Sequence, residues 1–334
     1  MKGERRVGVS MIISRTPVRV SFCGGGTDLP AYYEGSENGG LVTSMGLARH
    51  IHVTVNARFD DSVRVGYSRT EIVDDFEELE HELVREAMRL TGVTAGIEIT
   101  TIADIPSRGT GLGSSSTLTV GLLNALHNFA GRTPDAAQLA EEACRIEIDI
   151  LGQPIGRQDQ YAAAFGGANQ IAFMPDDSVI ITPLDFDAAA LEAHYFLVYT
   201  GMTRKATDIL GRQSASSEKK RSDLDALRQQ AIEVRAALES NDHAAVGALL
   251  DASWQIKRNL VDGITVGELD DLYSSIIDLG ASGGKLLGAG GGGFFLFQGN
   301  AEVRAQVSKN HKVLPLSLDT QGSTIIFDDG DRQE

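Results

Sequence analysis

A chain of 334 residues, 42% hydrophobic and 23% charged, with no long apolar run, is expected to fold as a globular protein of two lobes with no membrane-spanning segment. Its net charge of -16 repels nucleic acid and anionic membranes, so neither is an expected partner. A small phosphorylated ligand is still compatible, because backbone N–H groups and a few local cations can hold it inside an acidic protein. The two cysteines, Cys23 and Cys144, cannot build a disulfide framework and have no partner at metal-ligand spacing. No apolar signal follows the basic "MKGERRVGVS", so the expected compartment is a reduced cytoplasm.

The stretch "MIISRTPVRVSF" reads as the first strand, beginning at Met11 and followed by a glycine-rich loop. "GLVTSMGLARHIHVTVNAR" and "DSVRVGYS" alternate as paired strands do. "FEELEHELVREAMRLTG" predicts a helix stopped by Gly92, and "AGIEITTIADIP" another strand. The period turns helical from Ser114 to Ala130 and from Thr133 to Leu151, the second helix opening on Pro134 and Asp135. "GANQIAFMP" and "DSVIITPLDF" predict a strand pair, and "HYFLVYTG" a buried strand that opens a second half. Helical stretches cover roughly 204–240 and 242–259, and "LLGAGGGGFFLFQ" and "STIIFDD" close the chain as strands. The elements mix without regular alternation, so the expected fold class is α+β in two lobes, residues 11–190 and 191–334.

In "IPSRGTGLGSSSTLTVGLLNALHNF", Gly109, Gly111 and Gly113 free the backbone to approach a ligand, and a helix starts immediately afterwards. Its unpaired amides and dipole favour an anion, and Ser114, Ser115 and Ser116 add hydroxyls for phosphate or a divalent cation. A tight turn with Ser114 as an ordinary helix cap fits the same residues. The stretch ends without the Gly-Lys-Ser/Thr of a Walker loop.

"PSRGTGLGSSS" resembles the central motif of the GHMP kinases, the superfamily of galactokinase, homoserine kinase and mevalonate kinase. "TPVRVSFCGGGTDLP" resembles that family's first motif and "KLLGAGGGGFFLF" its third, so the resemblance runs from Arg15 to Phe297. It implies a ribosomal-protein-S5-like first lobe and a ferredoxin-like second one. It also implies ATP held by Arg108, Gly109, Gly111, Leu112, Gly113, Ser114, Ser115 and Ser116, with Mg²⁺ as its companion.

Phosphoryl transfer needs charge neutralisation and a carboxylate near the attacking hydroxyl. In "LAEEACRIEIDIL", Glu147 falls on one stripe with Ala140, Ala143, Cys144 and Leu151, where an apolar residue would be expected. A helix turned to put Ile146 and Ile150 inward would instead expose it. The resemblance implies that Glu147 and Ser115 hold Mg²⁺. By pattern Asp159 is an exposed cap of the turn that follows, and Arg19 a strand residue facing solvent. The galactokinase branch, however, places its catalytic base in an Asp-Gln pair twelve residues after the glutamate, and this chain keeps that spacing. The resemblance therefore implies Asp159 as base with Arg19 as its electrostatic partner.

Gly25 and Gly26 stand where galactokinase carries Glu-His, ahead of Thr27 and Asp28, which widens the pocket and discards galactose contacts. The first motif, "GRQDQYAAAFGG" and "YTGMTRKATDIL" together most resemble the bacterial D-glycero-D-manno-heptose 7-phosphate kinases. That resemblance implies transfer to the anomeric O1, giving the 1,7-bisphosphate on the way to GDP-heptose and surface polysaccharide. Asp28 would hold sugar hydroxyls, with Gly25, Gly26, Thr27, Gly290 and Gly291 close by. Arg204, Lys205 and Arg157 are candidates for the distal phosphate, although all three also read as ordinary surface charges. Another anomeric sugar kinase, fucokinase- or galactokinase-like, remains open, as do a kinase of isoprenoid alcohols and a non-catalytic sensor on the same fold.

Overall fold

The computed structural model describes residues 11–106, 109–202, 206–218 and 220–331. The strands are β1 (Met11–Cys23), β2 (Gly40–Ala57), β3 (Val63–Gly66), β4 (Thr70–Val73), β5 (Ile97–Ala103), β6 (Ala168–Phe173), β7 (Val179–Pro183), β8 (Tyr195–Tyr199), β9 (Gly283–Leu286), β10 (Phe294–Gln298), β11 (Val313–Pro315) and β12 (Thr324–Asp328). They form two sheets, an eight-stranded one containing the path β12-β1-β2-β5-β3-β4 and a four-stranded one ordered β11-β8-β10-β9. Each sheet carries helices, which makes the α+β, two-lobed architecture expected from the order of elements.

The long strand β2 organises the first lobe. Its start pairs with β6 and its end with β5, both antiparallel, while β1 runs along nearly its whole length. Proline lacks the N–H that a ladder needs, and the β1–β2 register shifts at Pro17. Two residues beyond that irregularity stands Arg19. The helix Ser114–Phe129 packs on β1 and β2 with Val120, Leu122, Leu123 and Leu126 fully buried, which anchors the loop before it to the sheet. In the second lobe Trp254 is fully buried and meets Phe295 edge-to-face at 5.5 Å.

The structure moves one boundary. "STIIFDD" was expected to close the second lobe, but β12 pairs antiparallel with β1, Ile12 opposite Asp328 and Arg15 opposite Thr324. The division at residue 190 therefore misplaces the end of the chain. The reason is an open edge: β1 has β2 on one side only, and β12 satisfies the backbone groups on the other.

Two helices also differ from their expected outlines. Residues 76–91 form a short 3₁₀ turn, Phe76–Glu78, and then a helix, Glu82–Thr91, ended by Gly92 at φ 72°. The expected helix over 133–151 begins at Ala136, capped by Asp135, and widens to a π-helix over Arg145–Ile150.

Candidate active site

The two lobes enclose a cavity of about 510 Å³ lined by residues of the first and third glycine motifs and of the central loop. The loop's architecture follows from its glycines. Gly111 has φ 71°, and a Cβ there would stand 2.5 Å from the Leu287 carbonyl oxygen. Gly113, the N-cap of the following helix, has φ 75°, and a Cβ there would press on the Asp159 carboxyl at 3.0 Å. Thr117 donates the first helical bond, to the Gly113 carbonyl at 2.9 Å, so the amides of Ser114, Ser115 and Ser116 precede it at the positive end of the helix. Gly109, Gly111, Gly113 and these three serines all line the cavity, a cradle that fits a phosphate chain.

Other expected residues sit elsewhere. Leu112 buries its side chain completely and accepts the Arg19 amide with its carbonyl at 3.0 Å, tying the loop to β1 rather than facing the cavity. Thr27 is buried and donates its hydroxyl to the Gly24 and Leu41 carbonyls, so it shapes the first glycine turn from behind. Gly290 and Gly291, expected beside the substrate, pack against Ile264, the Gly291 amide donating to its carbonyl at 2.8 Å. In their place Gly288 and Ala289 line the cavity, and Gly288 lies against Gly111 so closely that a Cβ would meet its Cα at 2.4 Å. Arg108, Arg204 and Lys205 lie outside the described residues.

Asp159 opens the helix Gln158–Phe165 and accepts from Arg19 Nε at 2.7 Å, while Arg19 Nη1 donates to the Gly111 carbonyl at 2.5 Å. Arg19 is only 3% exposed, so the pair is not the solvent-facing arrangement that pattern alone would permit. Asp28 accepts from the Gly26 amide at 2.8 Å and from Gln158 Nε2 at 3.0 Å. Burial, with the charge of Asp159 adding to it, pushes the Asp28 carboxyl above its ordinary value.

Glu147 is fully buried, as is Ile146, whereas Ile150 is 47% exposed. The wider π turn thus brings the carboxylate inward together with its apolar neighbour. Glu147 accepts from Ser115 Oγ at 2.9 Å and from Gln160 Nε2 at 2.7 Å. Burial raises its pKa to about 7 against the opposing pull of those hydrogen bonds. A desolvated carboxylate beside a hydroxyl is a hard-oxygen donor pair, which suits Mg²⁺ that keeps most of its coordination for phosphates and water.

Two cavity residues went unnoticed as site residues in the sequence. Lys257, on the last turn of the helix His243–Lys257, donates Nζ to the carbonyls of Leu286 and Gly288. Lys285, at the head of the third motif, is 3% exposed and donates Nζ to the Ser21 carbonyl at 3.0 Å. Burial lowers the Lys285 pKa to about 8 and takes that of Lys257 well below the ordinary lysine value. A lysine in a helix or a strand reads as surface, and only the apolar "FFLF" after the motif hints that β9 is interior.

A glycine cradle at a helix start, a serine of that cradle bonded to the buried Glu147 behind it and an Arg-supported aspartate, at one cavity between two lobes, define a phosphotransferase. The family model described as GHMP kinases N terminal domain matches residues 78–167, and that described as GHMP kinases C terminal matches residues 234–314. The chain belongs to the GHMP kinases. It is 33% identical over 306 residues to the D-glycero-alpha-D-manno-heptose 7-phosphate kinase of Campylobacter jejuni, covering 86% of this chain and 88% of that protein. It is 26% identical to an L-fucokinase/L-fucose-1-P guanylyltransferase of Bacteroides fragilis, over 85% of this chain and 34% of that one. Among solved structures, a D-glycero-D-manno-heptose 1-phosphate kinase from Bacteroides thetaiotaomicron superposes with a TM-score of 0.78 at 25% identity, covering 95% of this chain and 99% of that one. A putative sugar kinase from Campylobacter jejuni superposes with a TM-score of 0.75 at 29% identity, with the same coverage.

Proposed function

We propose that this chain transfers the γ-phosphoryl group of ATP to the anomeric O1 of D-glycero-D-manno-heptose 7-phosphate, giving the 1,7-bisphosphate. The observation that carries the reading is the Arg19–Asp159 pair set against Gly111 and Gly113, which puts a proton acceptor beside a phosphate cradle. Asp159 takes the proton of the acceptor hydroxyl, and Arg19 holds that carboxylate in place. The loop amides and serines orient the triphosphate, while Ser115 and Glu147 would hold Mg²⁺, which neutralises phosphate charge when bound.

The acceptor side supports a polyhydroxylated ligand. Asp28 faces the cavity as an acceptor, and the buried Gln158 Oε1 beside it has no hydrogen-bond partner among the described residues, so a sugar hydroxyl would satisfy it. Gly25 leaves room on this wall, its nearest neighbour to a would-be Cβ being Gln158 Nε2 at 3.7 Å, whereas Gly26 is pressed against the Gln213 side chain. The relatives' substrates favour the same class of acceptor, and a cytoplasmic site of action would follow from the ATP requirement.

A coupled assay for ADP release across sugars and sugar phosphates tests the proposal. Turnover is expected with heptose 7-phosphate and dependent on added Mg²⁺. Fucose or galactose turning over while heptose 7-phosphate does not would overturn the substrate assignment and leave an anomeric kinase of unphosphorylated sugars.

A further inference from the structure

The cavity has more cationic partners than its own carboxylates can use. Among the described lining residues, Arg19, Lys257 and Lys285 face Asp28 and Asp159. Arg19 is committed, its Nε and Nη2 to Asp159 and its Nη1 to Gly111. Asp28 is committed as well, to the Gly26 amide and to Gln158. That leaves the two lysines, both contributed by the second lobe, turned to backbone carbonyls. Lys285 brings three donors to a buried position where, among the described residues, Ser21 O is its hydrogen-bond acceptor. An ammonium taken out of water is costly unless an anion answers it, and a second ammonium on the same cavity wall doubles the demand.

We propose that Lys257 and Lys285 together seat the phosphate that the sugar acceptor already carries. The inference rests on the sugar-phosphate reading above and assigns its second anionic group to particular residues. The nucleotide's phosphates have their own cradle in the glycine loop and the first turn of helix Ser114–Phe129, all from the first lobe. A phosphate monoester dianion matches two point charges on flexible stems, and its oxygens accept from the donors that the carbonyls leave over. The other candidate among the described residues, Arg157, is occupied away from the cavity. It donates to the Asp177 carbonyl at 2.9 Å, lies near Asp177 Oδ1 at 3.3 Å and covers the Tyr161 ring. The low proton affinity of both lysines fits a seat that stays incomplete until its anion arrives.

The variants Lys257→Met and Lys285→Met, assayed in the full chain, test the assignment. Expected is a fall of at least tenfold in kcat/KM for heptose 7-phosphate, carried by KM, with the KM for ATP moving less than threefold. The preference for heptose 7-phosphate over heptose should drop by at least tenfold in each variant, and Lys→Arg should restore part of it. Equal losses on both acceptors, or a raised KM for ATP, would overturn the proposal by placing the lysines at the transferred phosphoryl group. A wild-type enzyme that uses heptose but not its 7-phosphate would instead remove the underlying substrate reading, and the proposal with it. Thermal melting shows whether each variant is folded, and the less buried Lys257 carries the test if Lys285→Met does not fold.

Discussion

Arg19 meets Asp159 at a single oxygen: Nε donates to Oδ1 at 2.7 Å, and Nη2 forms an ion-pair contact with the same atom at 2.7 Å. The other oxygen, Oδ2, faces Gly113 at the end of the phosphate loop, where the helix begins. One side of the carboxylate is thus used for orientation and the other is left to take a proton. Replacing Asp159 by Asn keeps an acceptor for Arg19 but removes the base, and kcat should fall by about 10² to 10⁴. Steady-state kinetics with saturating ATP and sugar phosphate measure this, and an Asn variant of undiminished kcat would remove Asp159 from the chemistry. Arg19→Lys should also cost activity, because a single ammonium on a flexible stem cannot reproduce the planar fork that donates to Oδ1 from Nε and to the Gly111 carbonyl from Nη1.

Glu147 makes a pH-dependent contribution with a definite sign. Its folded pKa, raised to about 7 by burial, lies above the ordinary 4.5, so the folded protein holds a proton that the unfolded chain has released between those values. Stability without ligands therefore declines as pH rises from about 4.5 to 7, by about 3 kcal/mol for this group alone. Glu147→Gln should flatten that part of a pH series of chemical denaturation midpoints. The same variant should lose Mg²⁺-dependent activity by at least tenfold, since Ser115 would keep a neutral partner where a charge is needed. A steep pH dependence preserved in the Gln variant would assign it to another group.

Gly111→Ala tests the joint between the loop and the third glycine motif. The new methyl would meet the Leu287 carbonyl at 2.5 Å in a backbone conformation with φ 71°, so the loop must move. Left-handed strain costs about 1–2 kcal/mol and the steric contact adds to it. The expected result is a melting point lowered by several degrees and a KM for ATP raised more than that for the sugar. Unchanged nucleotide affinity would mean that the loop's position does not depend on the second lobe.

Truncation after Gly322 removes β12 and the Ser323 hydroxyl, which bonds Thr16 at 2.8 Å and Asn124 at 3.0 Å. The active-site residues lie before the cut, but β1, which carries Arg19, would become an edge strand. The shortened chain should be less stable and prone to aggregate, as followed by light scattering on heating. Retention of the full-length melting curve would show that the strand is dispensable.

The central loop was legible because its chemistry is local: glycine, glycine, glycine and three serines before an apolar helix carry their backbone requirements wherever they fold. The burial of Glu147 was foreshadowed by its place on an apolar stripe, though not the π turn that delivers it, since periodicity at 3.6 residues cannot reveal one extra residue. Asp159 was legible only through its spacing from Glu147 in a family resemblance; nothing in "GRQDQYAAAFGG" by itself distinguishes a base from a cap.

By itself, then, the sequence determined the two-lobed class and the glycine-rich helix start, which follow from backbone freedom and short-range pattern, while Asp159 came only through the family resemblance. Only the tertiary structure decided that Lys257 and Lys285, 28 residues apart in the chain, share one cavity wall. It alone also decided that Gly288 rather than Gly290 meets the loop, and that the last strand returns to β1. The physical reason is the same in each case. Which charge loses its water, which glycine has a neighbour pressed against it and which strand edge is open depend on what another part of the chain brings near, and that is not written in any residue's own surroundings.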